Sequence, residues 1–285
     1  MTNAVIFALL SLGVAGLNDV AFKRYSAKNR SRGMLVFGIG LVWALLQCVT
    51  LLWKGAVPHT DATTLIYGLL AGAILTFSNI LLIESLTHID VSVGSTIYRL
   101  NTIGVVLLSF LFLHEDFQLI KAAGIGAGVL AVLLLTHQSR KSTASQSHGI
   151  FLGMVILASL LRAIYGVITK AGLNHGADAD TMLLIAAGSW VIGGALYAKL
   201  REGRIRITGK KAAYALISGL FVYLIVNFLI AAVARGEASV VIPIANLSFV
   251  AALLISAILG MERLTARKFV AIGCAIVSIW LLAQT

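Results

Sequence analysis

Apolar residues are arranged along this chain in ten long blocks, which short polar segments separate. The blocks are residues 4–22, 33–53, 63–86, 91–113, 118–136, 149–169, 181–199, 211–233, 238–260 and 266–282. A helix needs about 20 mostly apolar residues to cross a bilayer. The pattern therefore predicts an all-α polytopic membrane protein with ten transmembrane helices.

The ninth block differs from a plain span because it contains a proline and polar residues. Residues 238–261 carry no charge, but Pro243 lies in the first third, and Asn246 and Ser248 follow it. Proline removes a backbone N–H from a helix, and a membrane tolerates the freed carbonyl only where protein or water satisfies it. The pattern predicts a helix that is kinked at Pro243 and lines an internal cavity.

The second half of the chain repeats the first half at a constant separation of 147 residues. Pairs at this separation include Trp43 and Trp190, Gly72 and Gly219, Leu100 and Leu247, and Lys121 and Lys268. Many matches at one shift indicate an internal repeat. We divide the chain into a first five-helix unit over residues 1–137, a linker over 138–147 and a second five-helix unit over 148–285.

An odd number of spans per unit places the second copy upside down in the membrane, and the charges agree with this. The connections on one side of the predicted bundle hold sixteen Lys and Arg residues, and those on the other side hold four. Basic loops are typically cytoplasmic. The sequence therefore predicts two inverted repeats in a bacterial cytoplasmic (inner) membrane, with both termini outside. The first block lacks a basic leader and a cleavage site, so we expect it to remain as the first span.

Composition argues against several other classes of protein. The chain is 59% hydrophobic and 12% charged, which is far from the composition of a soluble domain. Basic cytoplasmic loops account for the net charge of +11 without nucleic acid. Cys48 and Cys274 lie inside apolar blocks, which indicates no disulfide or metal framework. Catalytic, phosphate-binding and metal-binding motifs are missing, so we expect no cofactor, and a membrane enzyme is a weak alternative.

Three runs in the second half carry a resemblance to a known family. They are A-S-V-V-I-P-I-A-N-L at 238–247, G-M-E-R-L-T at 260–265 and G-C-A-I-V at 273–277. In these runs and in its two-unit layout, the chain resembles the drug/metabolite transporter superfamily, specifically its EamA-type carriers. The resemblance extends over both halves, although Thr96 stands in the first half where Pro243 stands in the second. It implies a secondary transporter whose central cavity is formed by spans 1–4 and 6–9, and it implies no particular solute.

Polar residues inside the predicted spans are candidates for the solute site. A charge in the membrane interior costs roughly 2.5–3.5 kcal/mol on insertion scales, and helical spacing places the polar side chains on one stripe of each span. The candidate solute-binding residues are Asn18, Asn79, Glu84, Ser95, Tyr98, Arg99, Arg162, Tyr165, Tyr223, Asn227 and Asn246. These stripes predict a cavity lined by spans 1, 3, 4, 6, 8 and 9.

Several candidates have a structural alternative that the sequence leaves open. Arg99 either contacts the solute or forms a buried ion pair with Glu84. Asp19 either couples transport to protons or pairs with Lys23 on the next helical turn. The asparagines of spans 8 and 9 either bind solute or bridge helices. Arg162 has no acidic residue at its depth, which favours a solute contact.

The two mid-span arginines suit a solute with a carboxylate or phosphate, because a guanidinium offers a planar pair of donors to such groups. The sequence therefore predicts a secondary active transporter that works by alternating access on a small polar metabolite with an anionic group, such as an amino acid or organic acid. Glu84 and then Asp19 are the proton-coupling candidates. The alternatives are efflux of cationic or lipophilic compounds and flipping of a lipid-linked head group. One chain is sufficient for this mechanism, and a dimer is possible.

Overall fold

Every regular element in the described part of the chain is an α-helix. A computed structural model describes residues 2–26, 31–85, 88, 94, 97–116, 118–136, 147–203, 208–260 and 264–285. The helices are α1 (Thr2–Ser26), α2 (Arg32–Trp53), α3 (Ala62–Ser85), α4 (Asn101–Leu113), α5 (Leu119–Thr136), α6 (Ser147–Asn174), α7 (Ala179–Arg201), α8 (Gly209–Arg235), α9 (Ala238–Asn246), α10 (Ser248–Ile258) and α11 (Ala266–Leu282).

Short polar side chains begin several of these helices. The first N–H groups of a helix have no partner within the helix, and a side-chain oxygen at the preceding position satisfies one of them. The side chain of Ser31 accepts from the third residue of α2, and Asp178 and Thr208 do the same for α7 and α8. The polar residues between the apolar blocks therefore fix where these helices start.

Seven helical segments in the described residues are long and apolar enough to cross a membrane. They are Asn3–Phe22, Arg32–Trp53, Ala62–Ser85, Gly149–Asn174, Ala179–Arg201, Gly209–Arg235 and Ala238–Ile258, and shorter apolar helices cover Ile97–Leu113 and Leu119–Leu134. The all-α, multi-span class is confirmed. That ten segments cross the bilayer stays a prediction.

The two copies are interleaved, because the extensive helix contacts among the described residues join one copy to the other. Helix α1 packs on α8, and its counterpart α6 packs on α3, which is the counterpart of α8. Helices α2 and α3 also pack on the second copy, against α7 and α8. Most of the packing between helices in the described residues is therefore between the two units.

Equivalent helices of the two copies run antiparallel. The start of α2 meets the end of α7 where Gly33 lies against Ala198. At the other end, Lys54 pairs with Asp180 at 2.5 Å. Between these contacts, the rings of Trp43 and Trp190, which are themselves equivalent, meet edge-on with centroids 6.0 Å apart. Antiparallel packing of equivalent helices is the relation that inverted repeats require.

Each copy contains a break in its fourth helical segment, at equivalent leucines. The N–H of Leu247 donates to the carbonyl of Ile244, three residues back, and the N–H of Leu100 donates to the carbonyl of Ile97 in the same way. The helix continues through Pro243 to Asn246, so the break lies one turn after the proline, and the kink at Pro243 itself stays a prediction. The first copy has Thr96 in place of the proline and still breaks, so the break does not depend on proline.

Glycines allow the interleaved helices to approach closely, and they do so symmetrically. Gly72 in α3 lies against Ser189 of α7, and the equivalent Gly219 in α8 lies against Val42 of α2. Ser189 and Val42 are themselves equivalent at the repeat separation. The same close contact is therefore built twice, once in each half of the bundle.

Gly194 provides a test of this packing, with Gly188 on the same helix as the control. A Cβ added at Gly194 would lie 2.7 Å from Phe37 Cα, whereas one added at Gly188 would meet nothing within 4 Å. We expect Gly194→Ala to destabilise the protein by about 1–3 kcal/mol through overpacking. Gly188→Ala should be neutral, or stabilising by up to about 1 kcal/mol from helix propensity. Thermal unfolding of both purified variants in detergent decides this, and equal melting temperatures would contradict the close contact.

Interleaving also predicts how the halves behave when they are separated. Residues 1–137 expressed alone should aggregate or be degraded, because the surfaces that the second copy covers would be exposed. Co-expression with residues 148–285 should restore a complex that co-purifies and has the helix content and melting behaviour of the intact chain. A folded, monodisperse product from residues 1–137 alone would show instead that the units are independent.

Candidate functional site

The two helix breaks face each other near the centre of the bundle and bond crosswise. One nitrogen of Arg99 donates to the carbonyl of Asn246 and to the hydroxyl of Ser248, both at 3.2 Å. The side-chain amide of Asn246 donates to Asn101 at 2.7 Å and to Thr102 at 3.1 Å. Arg99 is equivalent to Asn246, and Asn101 to Ser248. A pseudo-two-fold relation therefore exchanges these contacts while their chemistry differs.

These side chains satisfy carbonyls that the breaks remove from the helical ladder. The carbonyl of Tyr98 accepts from the Asn101 amide at 2.8 Å and from the Ser159 hydroxyl at 3.3 Å. The carbonyl of Asn246 accepts from Arg99. A cavity of about 10 Å³ lies behind the breaks, beside α5 and α11, with room for about one water molecule. Irregular backbone at this depth is thus held by protein groups, as a membrane interior requires.

Helix α1 brings a carboxylate to the breaks. Asp19 Oδ2 lies 3.0 Å from the second terminal nitrogen of Arg99 and accepts from the hydroxyl of Ser248 at 3.3 Å. The side chains of Arg99 and Asp19 are 24% and 34% exposed. The guanidinium also lies 5.2 Å from the centre of the Phe249 ring. Asp19 is therefore the acidic partner of Arg99; the side chain of Lys23, the other predicted partner of Asp19, lies outside the described residues.

Glu84 belongs to a different cluster, at the end of the bundle. Its carboxylate lies 2.6 Å from the guanidinium of Arg201 and accepts from the hydroxyl of Tyr197 at 2.9 Å. The alternative of an Arg99–Glu84 pair is therefore wrong. Glu84 is in the last turn of α3 and faces the last turn of α7, whereas Arg99 lies beside the helix break.

Arg162 is a charged predicted site residue without an ionic partner among the described residues. It lies on α6 and is partly exposed, and its guanidinium carbon is 5.2 Å from the centre of the Tyr165 ring. Its charge has no hydrogen bond or ion pair with any residue in the described part of the chain. Helix α6 also supplies Ser159, which bonds the carbonyl of Tyr98, so Arg162 is one turn from the helix break.

Tyr223 and Asn227 lie in a third polar group, between α8 and α2. The Asn227 amide donates to Gln47 at 3.2 Å, and Gln47 donates to Asp180 at 3.2 Å. The hydroxyl of Tyr223 is 2.5 Å from that of Thr50. Both predicted residues thus bridge helices. Spans 2 and 7, which the polar stripes did not include, contribute the partners.

Comparison with known proteins decides the family. The family model described as EamA-like transporter family matches residues 2–137 and again residues 149–284, which together are nearly the whole chain. The chain belongs to the EamA-like transporter family. It is therefore a multi-pass membrane protein of a transporter family.

Solved structures support the fold of this EamA-like chain. One of them, described only as "Crystal structure of protein", matches with a TM-score of 0.85 and 12% sequence identity, over 99% of this chain and 96% of that chain. In all, 29 solved chains match significantly. Identity this low supports the fold alone. No curated protein matches the sequence significantly.

The remaining predicted residues of the EamA-like chain are distributed around these groups. Asn18 is buried, and its side-chain oxygen has no hydrogen-bond partner among the described residues. The amide of Asn79 donates to a carbonyl of its own helix at 2.8 Å. Ser95 lies outside the described residues. Gln47 and Asn101 were missed by the sequence analysis, although each is an amide inside an apolar block.

Four charges at the α8–α9 junction are engaged by the backbone or by each other. Glu115 accepts from the first two N–H groups of α9, at 2.7 and 2.9 Å. Lys170 donates to the carbonyl of Val233, in the last turn of α8, at 2.8 Å and to that of Gly236, in the junction, at 2.9 Å. Lys121 is buried and pairs with Glu237. These contacts close helix ends, and they leave Arg162 as the membrane-depth charge with no described anionic partner.

Proposed function

We propose that this EamA-like protein is a secondary active transporter that moves a small polar metabolite with an anionic group, such as an amino acid or an organic acid, by alternating access. The observation that supports the proposal most directly is that the charge of Arg162 is unpaired among the described residues. A guanidinium within a membrane span is costly unless it is paired or wet, and this one has no described acidic partner. A carboxylate or phosphate on the solute would supply the missing charge.

The surroundings of Arg162 suit such a solute. A guanidinium presents parallel donors that match a carboxylate or phosphate in two-point contact. The ring of Tyr165 lies against it, and the Tyr98 hydroxyl, 3.4 Å from that of Ser78, is supplied by the neighbouring break. In our proposal the aromatic rings cover the apolar part of the solute while Arg162 binds its charge.

The lining is asymmetric although the scaffold is symmetric. The position equivalent to Arg162 is Ala15, and the position equivalent to Asp19 is Gly166. One asymmetric solute therefore has one preferred orientation between two similar halves. We propose ten transmembrane helices that form two inverted repeats, with transport occurring as the repeats exchange conformations about the site.

Efflux of cations is less well supported by the geometry. The carboxylate of Glu84, which would be the counter-charge for a cation, is already bonded to Arg201 and Tyr197. If a proton gradient drives transport, Asp19 is the better-placed carboxylate, because it is partly exposed and lies at the helix breaks.

Counterflow in proteoliposomes tests the proposed function. Vesicles would be preloaded with glutamate, succinate, glucose or choline and assayed with and without a pH gradient. We expect exchange of a carboxylate, with Arg162→Gln lowering the rate about 30-fold or more, since a hydrogen bond to a charged group contributes about 1.5–3 kcal/mol. The exchange rate of Arg162→Lys should lie between those of the wild type and Arg162→Gln, because lysine keeps the charge and loses the planar pair of donors.

Two controls keep this result interpretable. Arg235→Gln removes an exposed arginine at the end of α8 and should leave exchange unchanged. The melting temperature of Arg162→Gln should match that of the wild type, because no described ion pair is lost. Exchange of choline alone, unaffected by Arg162→Gln, would overturn the anionic preference and favour Glu84→Gln as the sensitive variant.

We also propose an orientation for the bundle. Helix α1 begins beside Gly236 and α11 ends beside Gly124, so both termini are at the end that holds the α8–α9 junction. Most Lys and Arg residues belong to the opposite end, which we propose to be cytoplasmic in a bacterial inner membrane.

The orientation predicts the behaviour of a reporter fused after Thr285. An enzyme that is active only in the periplasm should be active there, and a fluorescent protein that matures only in the cytoplasm should stay dark. The same pair of reporters placed in the linker at residue 142 should give the opposite result. Cytoplasmic fluorescence from the C-terminal fusion would reverse the orientation.

A further inference from the structure

Arg99 already holds an anion, and that anion is supplied by the protein itself. One terminal nitrogen of its guanidinium contacts Asp19 Oδ2 at 3.0 Å. The other terminal nitrogen contacts the carbonyl of Asn246 and the hydroxyl of Ser248. The contacts of Asp19 among the described residues use the same carboxylate oxygen, shared between Arg99 and Ser248.

The contact between Asp19 and Arg99 has features that favour replacement of Asp19 by another anion. Asp19 meets Arg99 through one oxygen, which is a weaker geometry than a two-point contact between guanidinium and carboxylate. Both side chains are partly exposed, so the pair is not sealed inside the packed protein. Replacing one carboxylate with another keeps the charge balance at Arg99, so exchange does not leave the arginine without a counter-charge.

The contact also ties three parts of the fold together. Asp19 belongs to α1, Arg99 precedes the first break, and Ser248 follows the second. Beneath this polar tie, α1 touches α10 closely, where a Cβ added at Gly16 would lie 2.5 Å from Ala251 Cβ. If Asp19 leaves both Arg99 and Ser248, the close contact between Gly16 and Ala251 that remains is apolar.

The second copy has no such tie. Gly166 stands at the position equivalent to Asp19, and a Cβ added there would meet the apolar Cδ1 of Ile242 at 2.8 Å. Helix α6 instead carries Arg162. One arginine therefore has no described anion, and the other is occupied by an internal carboxylate.

We propose that Arg99 is a second anion-binding position of the transport pathway, and that Asp19 is an internal competitor that occupies it. While Asp19 is bound, α1 is held to both helix breaks; a carboxylate or phosphate at Arg99 releases α1. This inference rests on the proposed function for its biological role. It links solute binding to movement of one helix, because the solute binds the released state and competes with the tied one.

The contacts that hold α1 to the breaks, those of Asp19 with Arg99 and Ser248, form the tie. The tie is tested by the reactivity of a cysteine thiol placed beneath these contacts. In a background where Cys48 and Cys274 are alanine, Ala251→Cys places a probe opposite Gly16 in α1. Ala215→Cys places a matched probe opposite Gly38, at the α8–α2 contact. Reaction with N-ethylmaleimide in proteoliposomes reports how often each contact opens.

Breaking the Asp19–Arg99 pair should change the labelling rate at only one of the two cysteine positions. We expect Asp19→Asn and Arg99→Gln each to speed labelling at position 251 by roughly tenfold and to leave position 215 unchanged. Asp19→Glu keeps the carboxylate and should stay slow. Asp180→Asn removes a carboxylate that pairs with Lys54 elsewhere and should leave labelling at position 251 unchanged. Unchanged labelling at position 251 in Asp19→Asn, or equal acceleration of both probes, would overturn the tie.

Acetate tests the anion-binding position, because it is a small-molecule equivalent of the aspartate side chain. In Asp19→Ala, roughly 0.3 M sodium acetate should raise the melting temperature by about 2–4 °C over the same concentration of sodium chloride, by mass action on the vacated site. The wild type and the double variant Asp19→Ala/Arg99→Gln should show no such rise. The absence of an acetate effect in Asp19→Ala would overturn the binding position.

These outcomes are separate from those of the counterflow assay. Loss of carboxylate exchange in Arg162→Gln together with no effect of Asp19→Asn on labelling would keep the proposed function and reject the competitor. Acetate binding and faster labelling without any carboxylate exchange would keep the tie and reject the proposed solute class.

Discussion

The structure depends on satisfying backbone carbonyls at two helix breaks within the apolar bundle. An unsatisfied polar group in hydrocarbon costs several kcal/mol, so the breaks at Leu100 and Leu247 need donors from elsewhere in the fold. Asn101 supplies one within its own copy, and Arg99 reaches across to the carbonyl of Asn246. The central polar residues therefore hold irregular backbone in place, and the same residues are the ones within reach of a solute.

The interleaved helices of the two copies surround this site. Each break is flanked by helices of the other copy, and the closest glycine contacts, such as Gly72 with Ser189 and Gly219 with Val42, are repeated across the pseudo-two-fold relation. A rearrangement of one copy necessarily moves the surfaces that cover the other. Symmetric packing with different side chains at equivalent positions is the physical basis for proposing alternating access around a single asymmetric solute.

The arginines illustrate how far sequence reasoning reached at the site. Charge in an apolar block identified both Arg99 and Arg162, and the lack of an acid at its depth separated Arg162 from the rest. The sequence left open whether Arg99 pairs with Glu84 and did not consider Asp19 as its partner, which reaches Arg99 from α1 through the packing of α1 on α9 and α10. Gln47 was overlooked because one amide in an apolar block carries no periodic signal, and its role depends on Asn227 and Asp180, from two other helices.

The sequence by itself determined the class of the protein, the repeat and the family, because hydropathy, the 147-residue separation and the motifs around Pro243 are local or periodic properties. It also indicated which residues are polar where lipid would exclude them. Only the tertiary structure decided which of these residues meet. The pairing of Glu84 with Arg201 joins helices of opposite copies, and that of Asp19 with Arg99 joins two segments of the first copy that both pack against the second. The break at Leu247 depends on side-chain donors that arrive from distant parts of the chain.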